Sequence, residues 1–211
     1  MARLVVFDMD GVLADIESSW VFVHERFGVN NEESLYAYLR GEIDDLEFIR
    51  RDIGLWKAKD HHLDEGRIAR ILDEVPLMPG AKRTISELRA RNYRTAIVSA
   101  GIDILARRIS EECGIDLHIA NGLERSPSGL LTGEGVLNVC LMDKGSAVVT
   151  AARKLGTRLE DTTSIGNSKY DVTMFERTGN SIAFHPSDDR VRSCAMHVVE
   201  DGDLTRVLQY L

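Results

Sequence analysis

Leu4-Val5-Val6-Phe7-Asp8-Met9-Asp10-Gly11-Val12-Leu13 is a hydrophobic strand that runs into two carboxylates one residue apart. Side chains alternate faces along a strand, so Asp8 and Asp10 project the same way, and Gly11 lets the backbone turn just beyond them. Two acids gathered in a desolvated cleft favour metal binding, acid/base work or both. An Asp-x-Asp at a strand end also serves turn and helix-cap chemistry, so the pair alone leaves both readings open.

Outward from this strand, residues 16–75 carry apolar side chains at three- and four-residue spacing: Trp20, Val23 and Phe27, then Leu46, Ile49 and Ile53, then Ile68, Ile71 and Leu72. This reads as a helical insert. After Pro79-Gly80 the pattern changes to alternation: a helix through Ile85 and Leu88, a strand at 95–98, a helix through Leu105 and Ile109, and a strand at 117–120. A hairpin excursion spans 123–137, with Pro127-Ser128-Gly129 at its tip. Helix is expected at 144–155, strand at 162–165, helix at 172–178, strand at 181–184 and a closing helix at 204–211. Buried strands alternating with helices imply an α/β fold: a Rossmann-like, mostly parallel sheet covered on both faces, with a small helical cap inserted after the first strand. The core is expected over 1–15 plus 76–211, and the cap over 16–75.

The 211 residues suffice for a sizeable core, and 44% hydrophobic with 28% charged residues is ordinary for a globular protein. A net charge of -8 and a pI near 5.3 argue against a nucleic-acid surface. No apolar run approaches the roughly 18 residues that span a bilayer, and no signal-type start is present, so a cytoplasmic protein without membrane partners is expected. Cys113, Cys140 and Cys194 lack metal or disulfide spacing, and His61-His62 reads as a solvated loop. Monomer and homodimer both remain open.

Ligands of an open parallel sheet bind beyond the carboxyl ends of its strands. The polar groups expected there are Asp8 and Asp10, Ser99, and the loop Gly166-Asn167-Ser168-Lys169-Tyr170-Asp171, with Lys144 opening a helix nearby. Carboxylates, a hydroxyl and an ammonium together suit a phosphoryl group and a magnesium ion, which prefers hard oxygen ligands.

In these motifs, together with Val98-Ser99-Ala100-Gly101, Leu130-Leu131-Thr132-Gly133 and Asp143-Lys144-Gly145, the chain resembles the haloacid dehalogenase superfamily, and within it the phosphoserine phosphatases. The resemblance implies a magnesium-dependent phosphomonoesterase. Asp8 would be the nucleophile that becomes an aspartyl-phosphate, and Asp10 the acid that protonates the leaving alcohol and then activates water. Ser99, Ala100 and Lys144 would hold the phosphoryl oxygens. Metal would be held by Asp8, the backbone carbonyl of Asp10 and Asn167, with Asp171 able to move in. Glu17 and Arg50 fall where the family keeps a cap glutamate for the substrate amine and an arginine for its carboxylate, and Tyr170 would border the substrate.

Three departures bear on this. Asn167 replaces an acid and removes a negative charge from the metal site, Tyr170 replaces an asparagine beside the substrate, and Ala100 replaces a glycine. The substrate expected is a small phosphorylated metabolite. Phosphoserine leads, phosphoglycolate and phosphocholine are alternatives, and a weakly active phosphometabolite-binding protein is the reading that Asn167 keeps open.

Overall fold

The computed structural model describes residues 3–211. Strand β1 (Arg3–Phe7) lies mid-sheet because Leu4, Val5, Val6 and Phe7 are all fully buried, as strands covered on both faces require. Four helices follow before the chain returns: α1 (Ser19–Phe27), α2 (Glu32–Leu39), α3 (Asp45–Lys59) and α4 (Glu65–Leu72). Then come α5 (Ala81–Ala90), β2 (Tyr93–Ile102), α6 (Asp103–Cys113), β3 (Leu117–Arg125) and β4 (Leu131–Val136). Next come α7 (Lys144–Leu155), β5 (Thr162–Gly166), α8 (Val172–Phe175), β6 (Asn180–Phe184), α9 (Asp189–Cys194) and β7 (His197–Val199), before a closing 3-10 helix.

The seven strands are ordered β4-β3-β2-β1-β5-β6-β7. Every pairing is parallel except β3 with β4, which form the hairpin. The alternation of β1 sorts the core into two layers. Val5 and Phe7 pack in the cluster that holds Ile85, Leu88, Leu105 and Ile109. Leu4 and Val6 pack in the one that holds Val148, Ala151, Met174 and Val191. Each large side chain so buried contributes about 1.5 to 3 kcal/mol.

The α1–α4 segment shares the first cluster through Val23, Ile49, Ile53, Trp56 and Ile68. Trp56 is its centre, stacked on Trp20 at 5.6 Å and on Phe27 at 6.3 Å between ring centroids. Helix α3 also leans on β4: Lys57 Nζ donates to the carbonyls of Leu131 and Thr132 at 2.8 and 2.6 Å. Gly135 admits Ile49 so closely that a Cβ there would fall 2.4 Å from Ile49 Cγ2.

Several boundaries differ from expectation. Strand β2 extends to Ile102, with a register shift against β3 between Val98 and Ile102. The closing segment Leu204–Tyr210 is a 3-10 helix, and α9 and β7 are too short to show as periodic patterns. Cys113 and Cys140 are half-buried, Cys194 is exposed, and all three are free. No described helix is long and apolar enough to cross a membrane.

Candidate active site

Asp8 sits where β1 ends, its backbone N donating to Ile165 O at 2.9 Å on the neighbouring β5. Its carboxylate is 3% exposed, and Oδ1 lies 2.9 Å from Lys144 Nζ in a direction that makes an ion pair rather than a hydrogen bond. Lys144 reaches this point as the first residue of α7, whose N-terminus is capped by Asp143. Its Nζ also donates to Asp171 Oδ1 at 2.7 Å. Burial pushes the Asp8 carboxyl up to about 7, the Asp171 charge adds to the rise, and Lys144 opposes it. Burial works against the Lys144 ammonium, but Asp171 and Asp8 outweigh it and raise its pKa.

Asp10 faces the same cleft. Its Oδ2 accepts from both N and Oγ of Ser19 at 2.8 Å, while Oδ1 is buried without a hydrogen-bond partner. Burial raises its pKa to about 6 although the Ser19 bonds lower it, which suits a group that gives and takes a proton near neutrality. Gly101 permits this crowding, since a Cβ there would lie 2.8 Å from Asp10 Oδ2 and 2.6 Å from Met9 Cε.

Ser99 is buried at the bulge of β2, where its Oγ accepts from Gly101 N at 3.0 Å and keeps its own proton to donate. Ala100 keeps a negative φ, so the alanine is accommodated without strain. The carbonyl of Ala100 accepts from Trp20 Nε1 and from Asn121 Nδ2, both at 3.1 Å, joining α1 to the sheet. These groups border a cavity of about 1010 Å³ that also touches Glu17, Lys144, Asn167 and Tyr170.

Two expectations are corrected. Both oxygens of Asp171 are engaged by the protein rather than left for a metal: Oδ1 accepts from Lys144 Nζ, and Oδ2 accepts from Asn167 N, Ser168 N and Ser168 Oγ at 2.9, 3.0 and 3.2 Å. It caps the turn after β5 and fixes the lysine. Arg50 is not part of the cavity wall. It lies off the buried stripe of α3, where it pairs with Glu134 of β4 at 2.8 Å and with Glu47. Two residues that sequence reasoning passed over do border the cavity. Asp52 stands on the stripe Ile49, Asp52, Ile53, Trp56, where an acid among buried positions is a legible signal. His185 follows β6 with φ at 40, a backbone strain that no sequence pattern announces.

Among the described residues no three of His, Cys, Asp or Glu are grouped to hold a metal. The donors at hand are instead Asp8, the Asp10 carbonyl and Asn167, whose side-chain amide packs against Gly11. A Cβ on Gly11, whose φ is 76, would lie 2.0 Å from that amide nitrogen. Asp8 Oδ1, buried beside Lys144 without a hydrogen bond, and an amide that can turn its oxygen inward make an all-oxygen set, which fits magnesium.

A family model for haloacid dehalogenase-like hydrolases matches residues 5–176. The chain belongs to this family. It is 30% identical over 212 residues to the phosphoserine phosphatase of Methanocaldococcus jannaschii, covering 99% of this chain and 97% of that one. The phosphoserine phosphatase of Wolinella succinogenes is also 30% identical, over 99% and 100% of the two chains. Similar solved structures include a substrate-bound phosphoserine phosphatase complex, with a TM-score of 0.83 and 28% identity. A phospho-aspartyl intermediate analogue of phosphoserine phosphatase has a TM-score of 0.81 and 27% identity. Each covers 100% of this chain and 99% of its own. As a haloacid dehalogenase-like hydrolase, the chain is an enzyme of the phosphoric monoester hydrolase type.

Proposed function

We propose that the chain is a magnesium-dependent phosphomonoesterase of the phosphoserine phosphatase-like kind, acting through an aspartyl-phosphate on Asp8. The observation that carries this reading is the buried convergence of Asp8 and Lys144, with Nζ 2.9 Å from Oδ1, beside the carboxyl of Asp10.

In the first half-reaction a carboxylate oxygen of Asp8 attacks phosphorus, the bond to the ester oxygen breaks, and Asp10 gives its proton to the departing alkoxide. In the second, Asp10 takes a proton from water, the water oxygen attacks phosphorus, and inorganic phosphate leaves as Asp8 is restored. Lys144 and the Ser99 hydroxyl hold the phosphoryl oxygens, and fixed charge in a dry site is most effective where charge accumulates. Magnesium, held by Asp8, the Asp10 carbonyl and Asn167, would neutralise phosphate charge and lessen repulsion of the attacking carboxylate.

Residues 16–75 serve as a cap over the core formed by 1–15 and 76–211, screening the cleft from water. The joints of Trp20 and Ser19 to the Ala100–Ile102 stretch support this division. The cytoplasm is the proposed site of action, in keeping with three free thiols.

The test is phosphate release from a panel of small phosphomonoesters with magnesium titrated and EDTA as control. Magnesium-dependent release supports the reading. No release at any magnesium concentration contradicts it and favours a binding role, with Asn167 as the cause.

A further inference from the structure

We propose that the alcohol part of the substrate carries an ammonium group and no carboxylate, as in an amino-alcohol phosphate, and that Asp52 selects it. This deepens the phosphomonoesterase reading and rests on it.

Asp52 is 3% exposed, yet it borders the same cavity as Asp8. Its Oδ1 accepts from His24 Nε2 at 2.9 Å and from Asn31 Nδ2 at 2.6 Å. The buried indole of Trp56 donates from Nε1 to His24 Nδ1 at 2.7 Å. An indole nitrogen only donates, so Nδ1 accepts and the imidazole proton sits on Nε2. His24 therefore meets Asp52 as a neutral donor, and this Trp56-His24-Asp52 relay orients the carboxylate without cancelling its charge. Among the described residues, no lysine or arginine pairs with Asp52 and nothing donates to its Oδ2. A buried carboxylate without a cation is costly, and a substrate ammonium supplies what is missing.

The rest of the wall agrees. Eight carboxylate side chains border the cavity against one ammonium, Lys144, and no arginine. Lys144 is held at the phosphate end by Asp8 and Asp171. A substrate carboxylate would thus meet a wall of carboxylates with no free cationic partner, whereas an ammonium finds Asp52. Trp20 and Phe48 are also on the wall, and aromatic rings attract cations. Selection by an unpaired group is the strongest form available to a pocket, because the wrong substrate leaves charges unmatched.

The experiment compares kcat/KM of the full-length, magnesium-loaded protein for O-phosphoethanolamine and L-phosphoserine, with p-nitrophenyl phosphate as an uncharged-alcohol control. The expected result is a preference for O-phosphoethanolamine of roughly tenfold or more, and a loss of most of that ratio, through KM, in Asp52→Asn. A preference for L-phosphoserine, or an unchanged ratio in Asp52→Asn, overturns the proposal while turnover of p-nitrophenyl phosphate leaves the phosphomonoesterase reading standing. If no ester is turned over, that reading fails by itself. Calorimetric binding of the two compounds to the wild-type protein then decides the preference directly.

Discussion

Ser19 holds Asp10 in place from the first turn of α1: its backbone N and its Oγ both donate to Asp10 Oδ2 at 2.8 Å, and the same Oγ accepts from Ile102 N at 3.1 Å. The proposed acid/base group is thus fixed by the helical insert and by the end of β2 together. Ser19→Ala removes one of the two bonds and strands the Ile102 amide, at a cost of about 1 to 3 kcal/mol in stability. Because the lost bond lowers the Asp10 pKa, and Asp10 must hold its proton to serve as the acid of the first half-reaction, the basic limb of the kcat/KM profile should move to higher pH. Thermal melts and a pH-rate profile check both effects.

Asp8 links stability to pH near neutrality. Its ordinary value of 3.8 is raised to about 7 in the folded protein, chiefly by burial. Between those values the folded state holds a proton that the unfolded chain releases, so this group's contribution to stability falls as pH rises, and the whole penalty is present above about 7. In EDTA, Asp8→Asn should therefore melt higher than wild type at pH 8, by roughly 4 °C or more, with the difference shrinking toward pH 4. Lys144 keeps Asp171 as a partner in that variant. Calorimetric scans at several pH values give the comparison, and turnover should be abolished throughout.

At the proposed metal site Asn167 supplies an amide where a carboxylate would add a negative charge. Asn167→Asp should lower the magnesium concentration for half-maximal rate by roughly tenfold, corresponding to about 1.4 kcal/mol. A magnesium titration of the two proteins measures it, and equal midpoints would remove Asn167 from the proposed metal site.

Arg50 faces Glu134 and Glu47 at the surface, with its side chain 47% exposed. Exposed pairs contribute about 0 to 1 kcal/mol. Arg50→Ala should leave KM within about twofold of wild type and lower stability by no more than that amount. Steady-state kinetics and a denaturant melt test this, and a large rise in KM would return Arg50 to the substrate.

The contrast between Arg50 and Asp52 shows what the sequence conveys. Asp8 and Asp10 follow the end of β1, Ser99 follows the apolar run of β2 at its bulge, and Lys144 opens α7, so a pattern of apolar runs already places them at one end of the sheet. The helical insert is legible too, because Val23, Ile49, Ile53 and Ile68 repeat at helical spacing and are buried. The direction of each polar residue on those helices is harder. Arg50 follows Ile49 directly, but one position on a helix is a rotation of about 100°, and the close approach of β4 at Gly135 captures the arginine. That approach is a long-range contact with no local signature. The role of Asp171 was equally hidden, since a short 3-10 turn lets its side chain accept from the backbone of Asn167 and Ser168.

In the proposed mechanism the phosphoryl group passes through Asp8. Borohydride reduces an acyl phosphate to an alcohol, so quenching the enzyme with it during turnover and sequencing the peptides by mass spectrometry should find homoserine at position 8. Turnover that proceeds with Asp8 unmodified, or with the reduced residue at another position, would contradict the account.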